Sequence, residues 1–465
     1  MIFSSPIFVF GFLPCFLALY YAVPRTWRSA VILLGSYAFY GWWRLDYLAL
    51  IFGMSVVSYL AAEAAHRHAG TQRGTWAMRL GVGFDLAVLG YFKYTMFALT
   101  GLSDLSQALG GADITIPAII LPIGISFHTF QSISYIVDVA RKDAPPARNV
   151  VDFLAFGSLF PQLIAGPVLR YKDLAHQFEH RVHSPAIFLT GMARFGQGLA
   201  MKLLIADTVA PLADRAFTNP APTAAEAWLG AGAYSVQLLF DFAGYSAMAI
   251  GLGLMIGFRF MENFDAPYRS HSITEFWRRW HISLSLWLRD YLYLPLGGNR
   301  HGQARTYINL WLTMVLGGLW HGANWTFILW GMWHGLWLAL ERALGAKTQA
   351  SVWPPLLAWP VTILIVMLGW VMFRAETVSH ALRMYAGMSG AYGWRLPQQT
   401  AWQLQSVELA ALIVGAVLSV FGRTLAGYLS VAPSALRHSG SAALLATSCL
   451  AVVAQTHSPF LYFQF

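Results

Sequence analysis

Thr306-Tyr-Ile-Asn-Leu-Trp-Leu-Thr-Met-Val-Leu-Gly-Gly-Leu-Trp-His321-Gly-Ala-Asn324-Trp-Thr-Phe-Ile-Leu-Trp-Gly-Met-Trp-His334-Gly-Leu-Trp-Leu-Ala-Leu340 carries no formal charge from end to end. A bilayer core is crossed by roughly 20 apolar helical residues, so this run predicts two membrane helices in succession. His321 then lies where an ionisable side chain needs a reason to be. A neutral imidazole near pH 7 can take a proton from a hydroxyl and return it to a leaving group. The alternative is a hydrogen-bonded structural His between helices. Gly317, Gly318 and Gly322 leave room beside the ring for a substrate or a close backbone.

The rest of the 465-residue chain agrees with a membrane reading. Thirty Lys plus Arg against 21 Asp plus Glu give +9, yet charged residues are only 11% of the chain; soluble domains carry about 25%. Hydrophobic residues reach 57%. Disorder is excluded, and so few charges could not cover a soluble globule of this size. Cys15 and Cys449 are the only cysteines, which rules out a disulfide framework and a Cys-based metal site. The basic excess falls in short clusters, as membrane-flanking loops require, and forms no nucleic-acid patch.

Candidate spans lie near 6–23, 29–43, 46–62, 80–100, 114–137, 151–169, 186–213, 227–258, 307–340 (two), 355–373, 406–430 and 441–463. The expectation is an all-α, polytopic membrane protein of 11–13 transmembrane or re-entrant helices in one domain over 1–465, with a catalytic core near 114–375. The stretch from Pro6 to Val23 lacks a basic leader and a small-residue cleavage site, so it reads as a retained span. Pro122-Ile-Gly124 and Pro161 to Pro167 interrupt apolar runs. Backbone freed there must be buried in protein or line a cavity, which predicts re-entrant segments.

The polar connector 259–305 stands apart. Ser272 with Glu275 three residues on is a capping-box signature. Behind it Phe276, Trp277, Trp280, Leu284 and Trp287 mix with Arg278, Arg279, Arg289 and Asp290. This predicts a basic amphipathic helix lying at the membrane surface, on the cytoplasmic side because of its positive charge. His281 within it is a second candidate for chemistry, against the reading of a wet interfacial residue. His128 and His334 are further buried histidines. None of the four shows HExxH or comparable spacing, so no metal site is expected. Asp85, Lys93 and Asp241 are intramembrane charges; Asp85 and Lys93 are about 12 Å apart along a helix, too far for a direct pair. There is no P-loop, dinucleotide fingerprint or nucleophile elbow.

Taken together, Leu121-Pro-Ile-Gly-Ile-Ser-Phe127, Leu163-Ile-Ala-Gly-Pro-Val168, Glu275-Phe-Trp-Arg-Arg-Trp-His-Ile-Ser-Leu284, Trp287-Leu-Arg-Asp-Tyr-Leu-Tyr293, Leu296-Gly-Gly-Asn-Arg300 and Gly317-Gly-Leu-Trp-His-Gly-Ala-Asn324 resemble the membrane-bound O-acyltransferase superfamily, along nearly the whole chain. The resemblance implies a ring of helices around a thinned centre, with a cytoplasmic cavity and an outer funnel meeting near the catalytic His. That residue is His321, and the second characteristic polar position falls on His281. The family's Asp-Phe-Ser-Gly-Tyr-Ser-Asp-Met stretch stands here as Asp241-Phe-Ala-Gly-Tyr-Ser-Ala-Met248, lacking a hydroxyl at Ala243 and a carboxyl at Ala247.

The activity so implied is an O-acetyltransferase of the bacterial inner membrane that serves an exopolysaccharide, alginate foremost, with bacterial cellulose or another polymer as alternatives. Acetyl-CoA is the expected donor and no tightly bound cofactor is expected; a carrier-protein thioester is the alternative donor. Arg278, Arg279, Arg289 and Asn324 are candidate donor contacts, Arg being suited to bidentate phosphate binding, with lipid headgroups as the competing partner of the three Arg. No soluble domain is present to orient a hydrated polymer. The chain is therefore expected to hand acetyl to a periplasmic SGNH-type (Ser-His-Asp, esterase-like) acetyltransferase, docked on the outer funnel against the aromatic tail Phe460 to Phe465. A transporter using the buried charges and a scaffold for a polysaccharide synthase are the rival classes.

Overall fold

The computed structural model describes residues 1–163, 166–345, 351–430, 434–454 and 461, with backbone alone at 424–430 and 434–438. Every regular element among the described residues is helical. Leu45–Arg67, Gln72–Ala108, Ala224–Met255, Pro355–Arg374 and Ser406–Arg423 are long and apolar enough to cross a membrane, and Ile7–Ala22, Val150–Leu163 and Ser439–Ala454 are shorter apolar helices. The chain is an all-α, multi-pass membrane protein. The uncharged run does form two helices, Gly302–His321 and Trp325–Ala343.

Two expected spans need correction. Residues 112–122 are not helical, and the helix expected from 114 starts at Ile125. The β-branched run Ile114-Thr-Ile-Pro117 and then Pro122 disfavour helix, and Gly124 starts it from the left-handed region at φ +76°, where a Cβ would stand 2.5 Å from the Leu163 carbonyl oxygen. The 151–169 span breaks into Val150–Ser158 and Phe160–Leu163. The expected 80–100 span is the middle of a longer helix, Gln72–Ala108.

The described chain forms two compact units, one of residues 1–192 with 249–261, the other of 193–248 with 262 onward. In the first, His128 is fully buried, its Nδ1 2.9 Å from the Gly157 carbonyl oxygen and its Nε2 3.4 Å from Ser55 Oγ. That is the environment of a structural histidine. Asp85 accepts from Ser58 Oγ at 3.1 and 3.2 Å, while Lys93 donates to Ser126 Oγ at 3.3 Å. The two charges thus find different partners, as their spacing requires.

In the second unit, glycines set the distance between the two helices of the uncharged run. A Cβ on Gly318 would lie 2.2 Å from the Phe327 carbonyl oxygen, and one on Gly331 2.4 Å from that of Met314. A Cβ on Gly322 would meet the Phe327 ring at 2.2 Å. Of the two uses foreseen for the small residues around His321, close backbone approach is the one seen at Gly318. Asp241 pairs with Lys202, Oδ1 to Nζ 2.9 Å, both side chains 2% exposed, and Lys202 also reaches Asp207 at 2.5 Å. Lys202 sits in a π-helical turn, Met201–Ala206, that joins Pro185–Ala200 to Asp207–Thr218.

Candidate active site

The segment expected as one surface helix is broken in two, and its apolar face is buried. Ile273–Arg279 and Ile282–Leu288 are separate helices, and Phe276, Trp280, Leu284 and Trp287 are all buried in protein. The interfacial reading fails because this face packs against neighbouring helices: Trp280 stacks with Phe276 and lies 4.8 Å from Trp370, ring to ring. Ser272 does cap the first helix, accepting from the Glu275 N–H at 3.0 Å, but the Glu275 carboxylate takes the His271 N–H at 2.8 Å.

His281 is the break. It adopts φ +45°, ψ +53°, a left-handed conformation that costs a non-glycine residue about 1–2 kcal/mol. Asn263 holds the turn: its carbonyl oxygen accepts from the Ile282 N–H at 3.0 Å, and its Oδ1 accepts from Ser283 N and Oγ at 3.2 and 2.8 Å. The reward for the strain is the direction of the ring. His281 is fully buried, against Phe242 at 4.6 Å between ring centroids. It lies outside the spanning helices, and burial pushes its imidazole down to about 3, so the ring is neutral at cellular pH.

His321 ends the Gly302–His321 helix, 4% exposed. Its ring centroid is 6.1 Å from that of His281, so residues forty positions apart in sequence meet in one buried cluster. Trp330 and Phe373 meet the His321 ring edge to face at 5.2 and 5.3 Å, and Trp320 at 5.0 Å. His334 is fully buried on the far side of Trp330, at 5.2 Å from it. Two buried imidazoles among aromatic rings have the chemistry to exchange a proton with a hydroxyl or thiol brought against them.

The other candidates separate. Arg278 is exposed and Arg289 is half-exposed beside Asp290, 2.7 Å away. Arg279 is committed to Glu275 at 2.9 Å and Asp265 at 3.3 Å. Asn324 uses both ends of its amide locally, capping Trp325–Ala343 by accepting from Thr326 N at 3.1 Å and donating to the Glu376 carbonyl at 2.8 Å. Phe460 and residues 462–465, and Ile164 and Ala165 of the Leu163–Val168 motif, lie outside the described residues.

Sequence reasoning passed over Asn263 and Glu341. Glu341, 2% exposed, accepts from Ile273 N at 2.6 Å, Thr274 N at 2.9 Å and Thr274 Oγ1 at 2.7 Å, capping the helix that leads to His281. A signal for it exists: an acid in the last turn of a helix opposes the dipole and so calls for a partner elsewhere.

Residues 146–379, which include His281, His321 and all four donor candidates, match the membrane-bound O-acyltransferase family. The chain is 49% identical to the probable alginate O-acetylase AlgI of Azotobacter vinelandii and 50% identical to that of Pseudomonas putida, over 100% of each chain in both cases. It is 35% identical to the peptidoglycan O-acetyltransferase of Helicobacter pylori, over 84% of this chain and 80% of that one.

Proposed function

This chain belongs to the membrane-bound O-acyltransferase family and is an acyltransferase, and from that premise we propose that it carries acetyl from cytosolic acetyl-CoA across the bacterial inner membrane for O-acetylation of alginate. The observation that carries the reading is the pairing of His281 with His321 in one buried aromatic pocket, 6.1 Å apart. Alginate is favoured over other polymers because relatives of about half identity along the whole chain bear that name, whereas the peptidoglycan enzyme is more distant.

In this reading the acceptor hydroxyl loses its proton to His321 as its oxygen bonds to the thioester carbonyl carbon. The C–S bond breaks and the leaving thiolate takes the proton back. The aromatic wall around His321 excludes water and so favours transfer over hydrolysis. His281 lies on the donor side. Arg278 and Arg289, at the surface, hold the donor's phosphates, while Arg279 fixes the turn through Asp265. The acceptor hydroxyl is the serine of a periplasmic SGNH-type acetyltransferase, which holds the acetyl as its ester and then transfers it to a polymer hydroxyl.

The test is reconstitution in liposomes with labelled acetyl-CoA, with and without candidate periplasmic partners. His321→Ala should fold, insert and lose transfer by about 10²–10⁴-fold, the usual worth of general-base catalysis. His281→Gly, which removes the ring while relieving the backbone, should also depress transfer. Full transfer by His321→Ala would end the mechanism. Efficient acetylation of the polymer by this chain alone would end the hand-off.

A further inference from the structure

The second unit contains a cavity of about 1070 Å³ that neither His281 nor His321 lines. Its lining is of two kinds. Leu239, Ala243, Ala247, Val414 and Leu418 give it an apolar wall, and Arg194, Glu262, Asp265 and Arg423 add two ion pairs. Val414 is half-exposed although it lines the cavity, so the apolar part opens sideways, between the spanning helices Ala224–Met255 and Ser406–Arg423. Ala243 and Ala247, with no side chain beyond Cβ, hollow its wall. Along the latter helix the cavity runs from Val407 to Arg423, about 24 Å at 1.5 Å per residue, enough for an acyl chain of one leaflet of a roughly 30 Å core.

The charged part of the lining is Arg194, Arg423, Glu262 and Asp265, with Arg279 also reaching Asp265 at 3.3 Å. Arg194 Nη2 lies 2.6 Å from Glu262 Oε2, and Arg423 Nη1 lies 2.7 and 2.9 Å from the two Asp265 oxygens. A guanidinium has five N–H donors, so each Arg keeps donors for a phosphate, and each carboxylate keeps lone pairs for an ammonium. A ligand bearing only negative charge would gain from the arginines and lose to the carboxylates. A zwitterion satisfies both.

We propose that this groove holds one glycerophospholipid with a zwitterionic, primary-ammonium headgroup, its phosphate on Arg194 and Arg423, its ammonium on Glu262 and Asp265, and an acyl chain against Ala243 and Ala247. The lipid would bear on the reaction centre through one segment. The Asp265 N–H donates to the Arg279 carbonyl at 2.9 Å, and Phe264 packs on Trp280 at 5.1 Å and on Phe242 at 4.9 Å. Phe242 is the ring that faces His281. An occupied groove therefore props the turn that aims His281.

Native mass spectrometry of the full-length protein, with dioleoyl phosphatidylethanolamine and dioleoyl phosphatidylglycerol competing at equal concentration, tests this without any substitution. One phosphatidylethanolamine should be retained per chain, with about tenfold preference, the factor that one charge-assisted contact supports. Ala247→Phe, which fills the apolar wall, and Arg423→Ala, which strips the phosphate site, should each lower retention by about tenfold or more; size-exclusion profiles establish that each variant is folded. Equal retention of the two lipids, no retained lipid, or wild-type retention by a folded Ala247→Phe protein would overturn the proposal. If both variants fail to fold, the wild-type competition alone decides it.

Discussion

Glu341→Ala gives the sharpest check on how the pocket is held. The Glu341 carboxylate accepts three hydrogen bonds, from Ile273 N, Thr274 N and Thr274 Oγ1, at 2.6–2.9 Å in a buried position. Truncation strands two backbone donors at about 1–3 kcal/mol each, or about 2–6 kcal/mol in all; a missing N-cap alone costs about 0.5–2 kcal/mol. Glu341→Gln keeps one acceptor oxygen and should lose about half of that. The first turn of Ile273–Arg279 then frays, and with it the placement of His281 beside His321. Denaturant unfolding in detergent micelles should rank wild type, Gln and Ala in that order, with acetyl transfer falling in parallel at sub-denaturing conditions. An Ala variant within about 0.5 kcal/mol of wild type, the range of an ordinary surface change, would refute the reasoning.

Lys202→Met should cost about 3–5 kcal/mol, since it leaves Asp207 and Asp241 without their shared cation in a buried site; adding Asp241→Asn should recover part of the loss in the same unfolding assay. Gly318→Ala should cost about 1–3 kcal/mol as an overpacking change, because its Cβ would meet backbone, the Phe327 carbonyl oxygen, at 2.2 Å; transfer should drop with it, read by labelled-acetyl turnover. Asn324→Ala should cost about 1 kcal/mol as a lost N-cap, and its KM for acetyl-CoA separates a cap from a donor contact: an unchanged KM leaves only the cap.

Composition alone determined that this is a helical membrane protein, because a chain so poor in charge has nowhere but lipid to place its apolar surface, and only helices suit runs such as Thr306 to Leu340. The same reading picked out His321, since an imidazole in an uncharged run is costly unless used or bonded. Local patterning then failed at Trp280-His281. Helical spacing of aromatics and arginines reads as one amphipathic surface helix, yet what bends the chain is a long-range contact, Asn263 on Ile282 and Ser283, and what buries the face is Trp370 from a helix ninety residues on. The partner of Asp241 was open for the same reason: the sequence marks a buried carboxylate that needs one, and only packing brings Lys202 within 2.9 Å. Period and composition report each residue's preference for oil or water. Which buried groups meet depends on how helices cross, and no local stretch of sequence carries that distance.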